Sequence, residues 1–223
     1  IYQRWVKQLV TYHPNNPKHH LIVLGDLFDR GTETIEVLEY LYELNKEKKA
    51  TIILGNHDNF LLDFLDNNHS KVSFNIEHNG FGNTIEQLSG LDLEINSYDE
   101  IELSIRIRYP YLKEWLNSFP LYYELGTYIF VHGGIDGGML DWKSMTSKRE
   151  FLWNREINLP RVIDKIVVAG HHRVATIRKK TKDYKLLFQT SPELFDILYD
   201  EGKILIDRFV EKSKEINVLV LEF

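Results

Sequence analysis

Four short stretches hold the side chains that could do chemistry: Gly25-Asp26-Leu27-Phe28-Asp29-Arg30-Gly31, Gly55-Asn56-His57-Asp58, His132-Gly133-Gly134 and Gly170-His171-His172. In the first, two carboxylates within four residues could bind a hard cation. The neighbouring guanidinium could grip phosphate oxygens bidentately. Glycines at both ends let the backbone turn sharply and come close to a ligand. The same string also fits a plainer reading, a loop acid capping the next helix with Arg30 in a surface ion pair. The other three stretches add Asn, Asp and His in similarly glycine-marked surroundings, which shifts the balance toward a metal and phosphate site.

Each stretch follows an apolar, β-branched run: Leu21 to Leu24, Thr51 to Leu54, Tyr128 to Val131 and Ile166 to Ala169. Four strands are therefore expected to deliver four loops. Between the first two, Ile35, Leu38, Leu41, Tyr42 and Leu44 recur at helical spacing, giving a βαβ signature. Residues 1–12 read as an amphipathic helix ended by the prolines at 14 and 17. His19 and His20 read as loop residues. From Asn59 to Phe119 the pattern turns helical, with helices expected near 60–65, 83–89 and 110–118. Asn67 to Ser70 reads as a polar turn. The aromatics there (Phe74, Phe81, Tyr109, Tyr111, Trp115) read as core of an inserted helical cap rather than a base-stacking platform. Further strands are expected over Leu121–Leu125, Lys185–Thr190 and Ile216–Glu222, the last from its continuous apolar run.

The order and spacing of GDxxDRG, GNHD, HGG and GH resemble the phosphoprotein phosphatase branch of the calcineurin-like binuclear metallophosphoesterases, in its small bacterial or phage form. The likeness covers most of the chain. It implies an α/β fold, a β-sandwich flanked by helices in αββα order, in one domain over 1–223 with a helical cap inserted at about 59–119. It also implies two divalent ions, manganese foremost with iron or zinc as alternatives, and a hydroxide between them that attacks phosphorus. By the same likeness Asp26 bridges the ions, and Asn56, His132 and His171 complete the second metal site. His57 is the general acid, oriented and kept protonated by Asp29. Arg30 and Asn56 bind phosphate, and Arg155 of the Trp153-Asn154-Arg155-Glu156 element supplies a second phosphate arginine. A surface pair of Arg155 with Glu150 or Glu156 is the competing reading. The family's first metal motif, Asp-x-His-Gly, is expected immediately upstream of Ile1.

Three residues stay open. His172 either orients His171 or is a loop residue, Asp58 is read as capping the following helix, and Asp136 as a turn residue. Where many relatives have a glycine-rich turn, Ile206-Asp207-Arg208-Phe209 implies a longer or altered final hairpin.

Bulk properties narrow the partners. The chain has 223 residues, with 27 Lys and Arg against 33 Asp and Glu, for a formal charge of −6. No basic footprint recommends nucleic acid. No apolar run is long enough to span a bilayer. The lack of cysteine leaves no thiolate metal site and fits a cytoplasmic protein. Two substrate readings follow from the resemblance: phosphoserine or phosphothreonine in a protein first, symmetrical hydrolysis of diadenosine tetraphosphate second. A catalytically degenerate phosphate-binding module is the non-enzymatic alternative.

Overall fold

Leu21–Val23 form β1 and Ala50–Ile52 form β2, paired parallel with Val23 opposite Ile52. Parallel strands need a crossover, and α1 (Thr34–Lys46) provides it, burying Leu38, Leu41 and Leu44 on one stripe. These elements come from a computed structural model that describes residues 16, 18–138, 141–155, 162 and 164–222. The helix expected over 1–12 and the Glu156 expectation lie outside them. The chain divides at Pro120–Leu121 into two compact units.

After β2 the first unit is helical: α2 (Asn56–Leu65), α3 (His69–His78), α4 (Phe81–Ser89), α5 (Tyr98–Arg108) and α6 (Leu112–Asn117). Its core contains Phe64, Phe81, Ile85, Leu88, Ile101 and Ile105. Two helices exceed the expectations from periodicity. α3 begins within the supposed polar turn, and α5 lies between the helices expected near 83–89 and 110–118. A signal for α5 was present: Ser97 and Glu100 form a capping box, with Ser97 Oγ accepting from the Glu100 amide and Glu100 Oε2 accepting from the Ser97 amide at 2.8 Å. Of the aromatics read as core, Phe81 and Trp115 are buried and Tyr111 stacks on Tyr42 at 4.0 Å, whereas Phe74 is exposed.

The second unit is built on a five-stranded mixed sheet. Its strands are β3 (Tyr122–Leu125), β4 (Tyr128–Val131), β5 (Ile166–Arg173), β6 (Leu198–Asp200) and β7 (Lys203–Asp207), in the order β3-β4-β5-β7-β6. β4, β5 and β7 run parallel, and β3 and β6 are antiparallel edges. Ile129, Val131, Val167, Ala169 and Leu205 pack with Trp142 and Phe151. The latter two stand on α7 (Trp142–Met145) and α8 (Lys148–Trp153).

Two expected strands are corrected. Lys185–Thr190 belongs to α10 (Tyr184–Thr190), which follows α9 (Val174–Arg178); the Asp183 side chain caps α10 by accepting from the Leu186 amide at 2.9 Å. The helix wins because Tyr184, Leu187 and Phe188, at helical spacing, pack into the cluster of Ala175, Phe195 and Phe209. Ile216–Glu222 forms no strand. β6 already fills the edge beyond β7, and Val220 is 49% exposed. Short apolar runs do not by themselves distinguish strand from other buried or half-buried chain. The final hairpin is β6–β7, followed by α11 (Val210–Ser213) and a tail tied back by Arg208, which pairs with Asp196 and Glu215, and by Asn217 Nδ2, which donates to the Phe195 carbonyl at 2.9 Å.

Candidate active site

In a parallel pair both carboxyl ends lie on the same edge, so loops leaving them become neighbours. In the first unit this brings Gly25-Asp26 beside Gly55-Asn56. The approach is so close that a Cβ on Gly55 would fall on the Asp26 backbone nitrogen. Gly25 has φ +78°, and Asp26, Asp29 and Arg30 also hold positive φ. Three non-glycine residues in left-handed backbone within five positions cost conformational energy, and such strain persists only where surrounding bonds over-determine it.

Asp58 supplies part of that constraint. Fully buried in the first turn of α2, it accepts from the amides of Gly55 (2.8 Å), Asp26 (2.9 Å) and Leu27 (2.9 Å). It caps α2 as expected, and it also pins the Asp26 loop to the helix. Asp26 Oδ1 in turn accepts from the His57 amide at 3.0 Å.

His57 and Asp29 form a hydrogen-bonded ion pair through Nδ1 and Oδ2, with the His57 ring edge-on to Phe60. Burial works against a charged imidazole here. The hydrogen bond from Asp29 and the negative charges of Asp26 and Asp29 outweigh it and push the His57 pKa up. Asn56 is buried at the start of α2, and Arg30 is exposed. The unit thus brings Asp26, Asp29, Arg30, Asn56 and His57 into one neighbourhood of the β1 and β2 ends.

In the second unit the parallel pairing of β4 and β5 does the same work. Val131 lies opposite Ala169, so His132 leaves β4 beside the Gly170-His171-His172 stretch. That stretch is not a loop, as the sequence suggested, but the end of β5 itself. An irregularity between Ala169 and Arg173, with His171 at φ +47°, turns the imidazole out of the regular alternation. His132 Nε2 and His171 Nδ1 stand 3.2 Å apart. Two nitrogens each about 2.0–2.1 Å from one ion would be separated by roughly 2.8–3.4 Å at octahedral to tetrahedral angles, so the pair fits a shared metal.

His172 points the other way, donating through Nε2 to the Gly133 carbonyl at 2.9 Å. Since a carbonyl only accepts, Nε2 carries the proton. Burial holds the His172 pKa down, which suits this neutral, structural imidazole. It steadies the glycine loop after His132 and sits edge-on to the His171 ring. Asp136 makes a turn, accepting from the Gly138 amide.

Arg155 follows α8, whose Ser147 and Glu150 form a capping box. Glu150 is thereby engaged, and Arg155 Nε donates instead to His171 Nε2 at 3.1 Å. The loop after His132 is pressed against the end of α8: Gly133 donates to the Phe151 carbonyl at 2.7 Å, and a Cβ at Gly133 would meet Leu152 and Trp153 backbone at 2.9 Å. One contributor carried no sign in the sequence. Thr84 of α4 bonds Asp29 through its hydroxyl, and nothing in its neighbourhood resembles a motif.

Each unit sets polar side chains at the carboxyl ends of a parallel strand pair, the place where α/β proteins carry their ligand sites. The family model described as calcineurin-like phosphoesterase matches residues 2–206, and the chain belongs to that family. Calcineurin-like phosphoesterases use divalent metals. Among curated relatives, an asymmetrical bis(5'-nucleosyl)-tetraphosphatase, PrpE, of Oceanobacillus iheyensis is 30% identical over 152 residues, 66% of this chain and 54% of its own. A symmetrical bis(5'-nucleosyl)-tetraphosphatase of Buchnera aphidicola is 33% identical over 79 residues, 35% of this chain and 27% of its own. Another symmetrical one, from a Marinomonas strain, is 43% identical over 53 residues, 24% of this chain and 18% of its own. The chain spans about half the length of the first of these relatives. No helix of the described residues is long and apolar enough to cross a membrane.

Proposed function

We propose that the protein is a metal-dependent hydrolase that cleaves the phosphate bridge of dinucleoside tetraphosphates. The observation that carries this reading is the Asp29–His57 pair on the strand-end loops of a calcineurin-like phosphoesterase whose relatives bear tetraphosphatase names. Those relatives favour the nucleotide substrate, which the sequence ranked second, over a phosphoprotein. The longer likenesses are to proteins named asymmetrical, which favours unequal cleavage over the symmetrical cleavage of the sequence's second reading.

In this reading Asp26 and Asn56 of the first unit and His132 and His171 of the second would hold divalent ions. Bound divalent ions would lower the pKa of a water molecule and neutralise phosphoryl charge. Arg30, Asn56 and Arg155 bind phosphate oxygens. His57 does the proton work: Asp29 holds Nδ1, so Nε2 hands its proton to the bridging oxygen as the bond from that oxygen to phosphorus breaks. The inserted helices of residues 59–119 act as the cap that selects what is attached to the phosphate.

The test is kcat/KM of the manganese-loaded protein on diadenosine tetraphosphate and on a phosphothreonine peptide, with products separated. Preference for the dinucleotide, yielding ATP and AMP, is expected. Two ADP molecules would make cleavage symmetrical, preference for the peptide would restore the phosphoprotein reading, and turnover of neither would leave a binding module.

A further inference from the structure

The Asp29–His57 pair is held from a direction that the strand-end loops do not explain. Asp29 accepts His57 Nδ1 through Oδ2, and its other oxygen, Oδ1, accepts the Thr84 hydroxyl at 2.6 Å. The same hydroxyl accepts from the Asp29 amide at 3.0 Å. A threonine hydroxyl has one proton to give and lone pairs to receive. Here the proton goes to the carboxylate and a lone pair takes the amide, so a single side-chain oxygen clamps both the backbone and the carboxylate of one residue.

The clamp is dry and rigid. Thr84 is fully buried and the Asp29 side chain is 1% exposed. Asp29 sits at φ +71°, a conformation that needs outside support in a non-glycine residue. Thr84 is placed by α4, and the same helix face reaches the residues that follow. Asn83 Nδ2 donates to the Gly31 carbonyl, and Gln87 bonds both the Gly31 carbonyl at 3.1 Å and the Thr34 amide at 3.0 Å. The inserted helices therefore grip the acid-bearing loop by three side chains, only one of which touches Asp29.

We propose that Thr84 is a positioning residue for the Asp29–His57 pair, fixing which carboxylate oxygen faces the imidazole. The inference rests on the hydrolase reading for its catalytic meaning, but its structural content does not. With the hydroxyl removed, Asp29 Oδ1 loses its partner, and the carboxylate can rotate so that neither oxygen keeps a fixed line to Nδ1. Proton donation from Nε2 is then aimed less well, and the loss grows with the need of the leaving group for a proton.

The test uses the whole chain with Thr84→Val, which keeps the branched shape, and Thr84→Ser, which keeps the hydroxyl. On phenyl phosphate, a poor leaving group, Thr84→Val should lower kcat by roughly 10–100-fold with KM little changed. On p-nitrophenyl phosphate the loss should be several-fold smaller, and Thr84→Ser should recover most of it. In the metal-free protein, the downfield proton resonance of His57 Nδ1 should broaden or move upfield in Thr84→Val and persist in Thr84→Ser.

Equal losses on both substrates, with the resonance intact, would overturn the proposal in favour of general loosening of α4. Unchanged kcat and an unchanged resonance would overturn it outright. If the parent protein turns over neither these phosphoesters nor diadenosine tetraphosphate, the functional reading fails. The resonance comparison alone then decides whether Thr84 sets the pair: a changed resonance in Thr84→Val supports it, and an unchanged one overturns it.

Discussion

At the scale of single residues, two imidazoles illustrate how environment divides one chemistry into two tasks. His57 faces carboxylates and its pKa is raised above the ordinary 6.5; His172 faces a carbonyl in a buried niche and its pKa is lowered below 6.5. In the metal-free protein, a nuclear magnetic resonance titration should show midpoints on opposite sides of that value, and a common midpoint would contradict both environments. The linked stabilities have opposite senses. The His57 contribution is complete below pH 6.5 and is lost as pH rises through its raised folded value. The His172 contribution is complete above pH 6.5 and is lost as pH falls through its lowered one. His57→Asn should reduce kcat by roughly 10²–10⁴-fold for poor leaving groups, with a smaller loss for nitrophenol. Equal losses for both would assign His57 a structural or metal-supporting task instead.

At the scale of elements, the carboxyl ends of β1 and β2 are held together by a buried acid. Asp58→Ala would leave the amides of Gly55, Asp26 and Leu27 without that acceptor in a buried setting. A loss of about 3 kcal/mol or more in unfolding free energy is expected by denaturant titration. Asp58→Asn, which retains one acceptor oxygen, should fall between the alanine variant and the parent. A near-neutral Asp58→Ala would show that water reaches these amides. Gly55→Ala should be at least as damaging, because its methyl group would collide with the Asp26 backbone nitrogen and with the Asp26 and Asp58 carboxylates. The helical segment also fixes the loop, since α4 bonds it at Asp29, Gly31 and Thr34.

At the scale of the whole molecule, the metal reading makes a prediction about stability. A ligand bound only by the folded state adds about 2.7 kcal/mol at a hundred times its Kd. For a chain of this size that corresponds to a rise in Tm of roughly 5–10 °C. Manganese should produce such a rise and a chelator should reverse it. His132→Ala and Asn56→Ala, one in each unit, should each diminish the effect. Full retention of the rise in both variants would remove these residues from the ligand set.

Much of the candidate site was legible in the sequence because its chemistry is concentrated in short strings. A strand followed by GDxxDRG or GNHD has few other uses, and β-branched runs before glycine mark strand ends through purely local sterics. Hence β1, β2, β4, the start of β5 and α1 followed from periodicity, and the grouping of Asp26, Asp29, Asn56 and His57 followed from the family resemblance of their motifs. The tertiary structure decided what depends on partners distant in sequence. Lys185–Thr190 became helix because Tyr184, Leu187 and Phe188 found a cluster to fill, and Val218–Leu221 stayed out of a sheet whose edge β6 had taken. His171 turned because β5 carries an irregularity that no periodicity announces. Thr84 shows the limit most plainly: 55 positions separate it from Asp29, and only the folded chain brings its hydroxyl to that carboxylate.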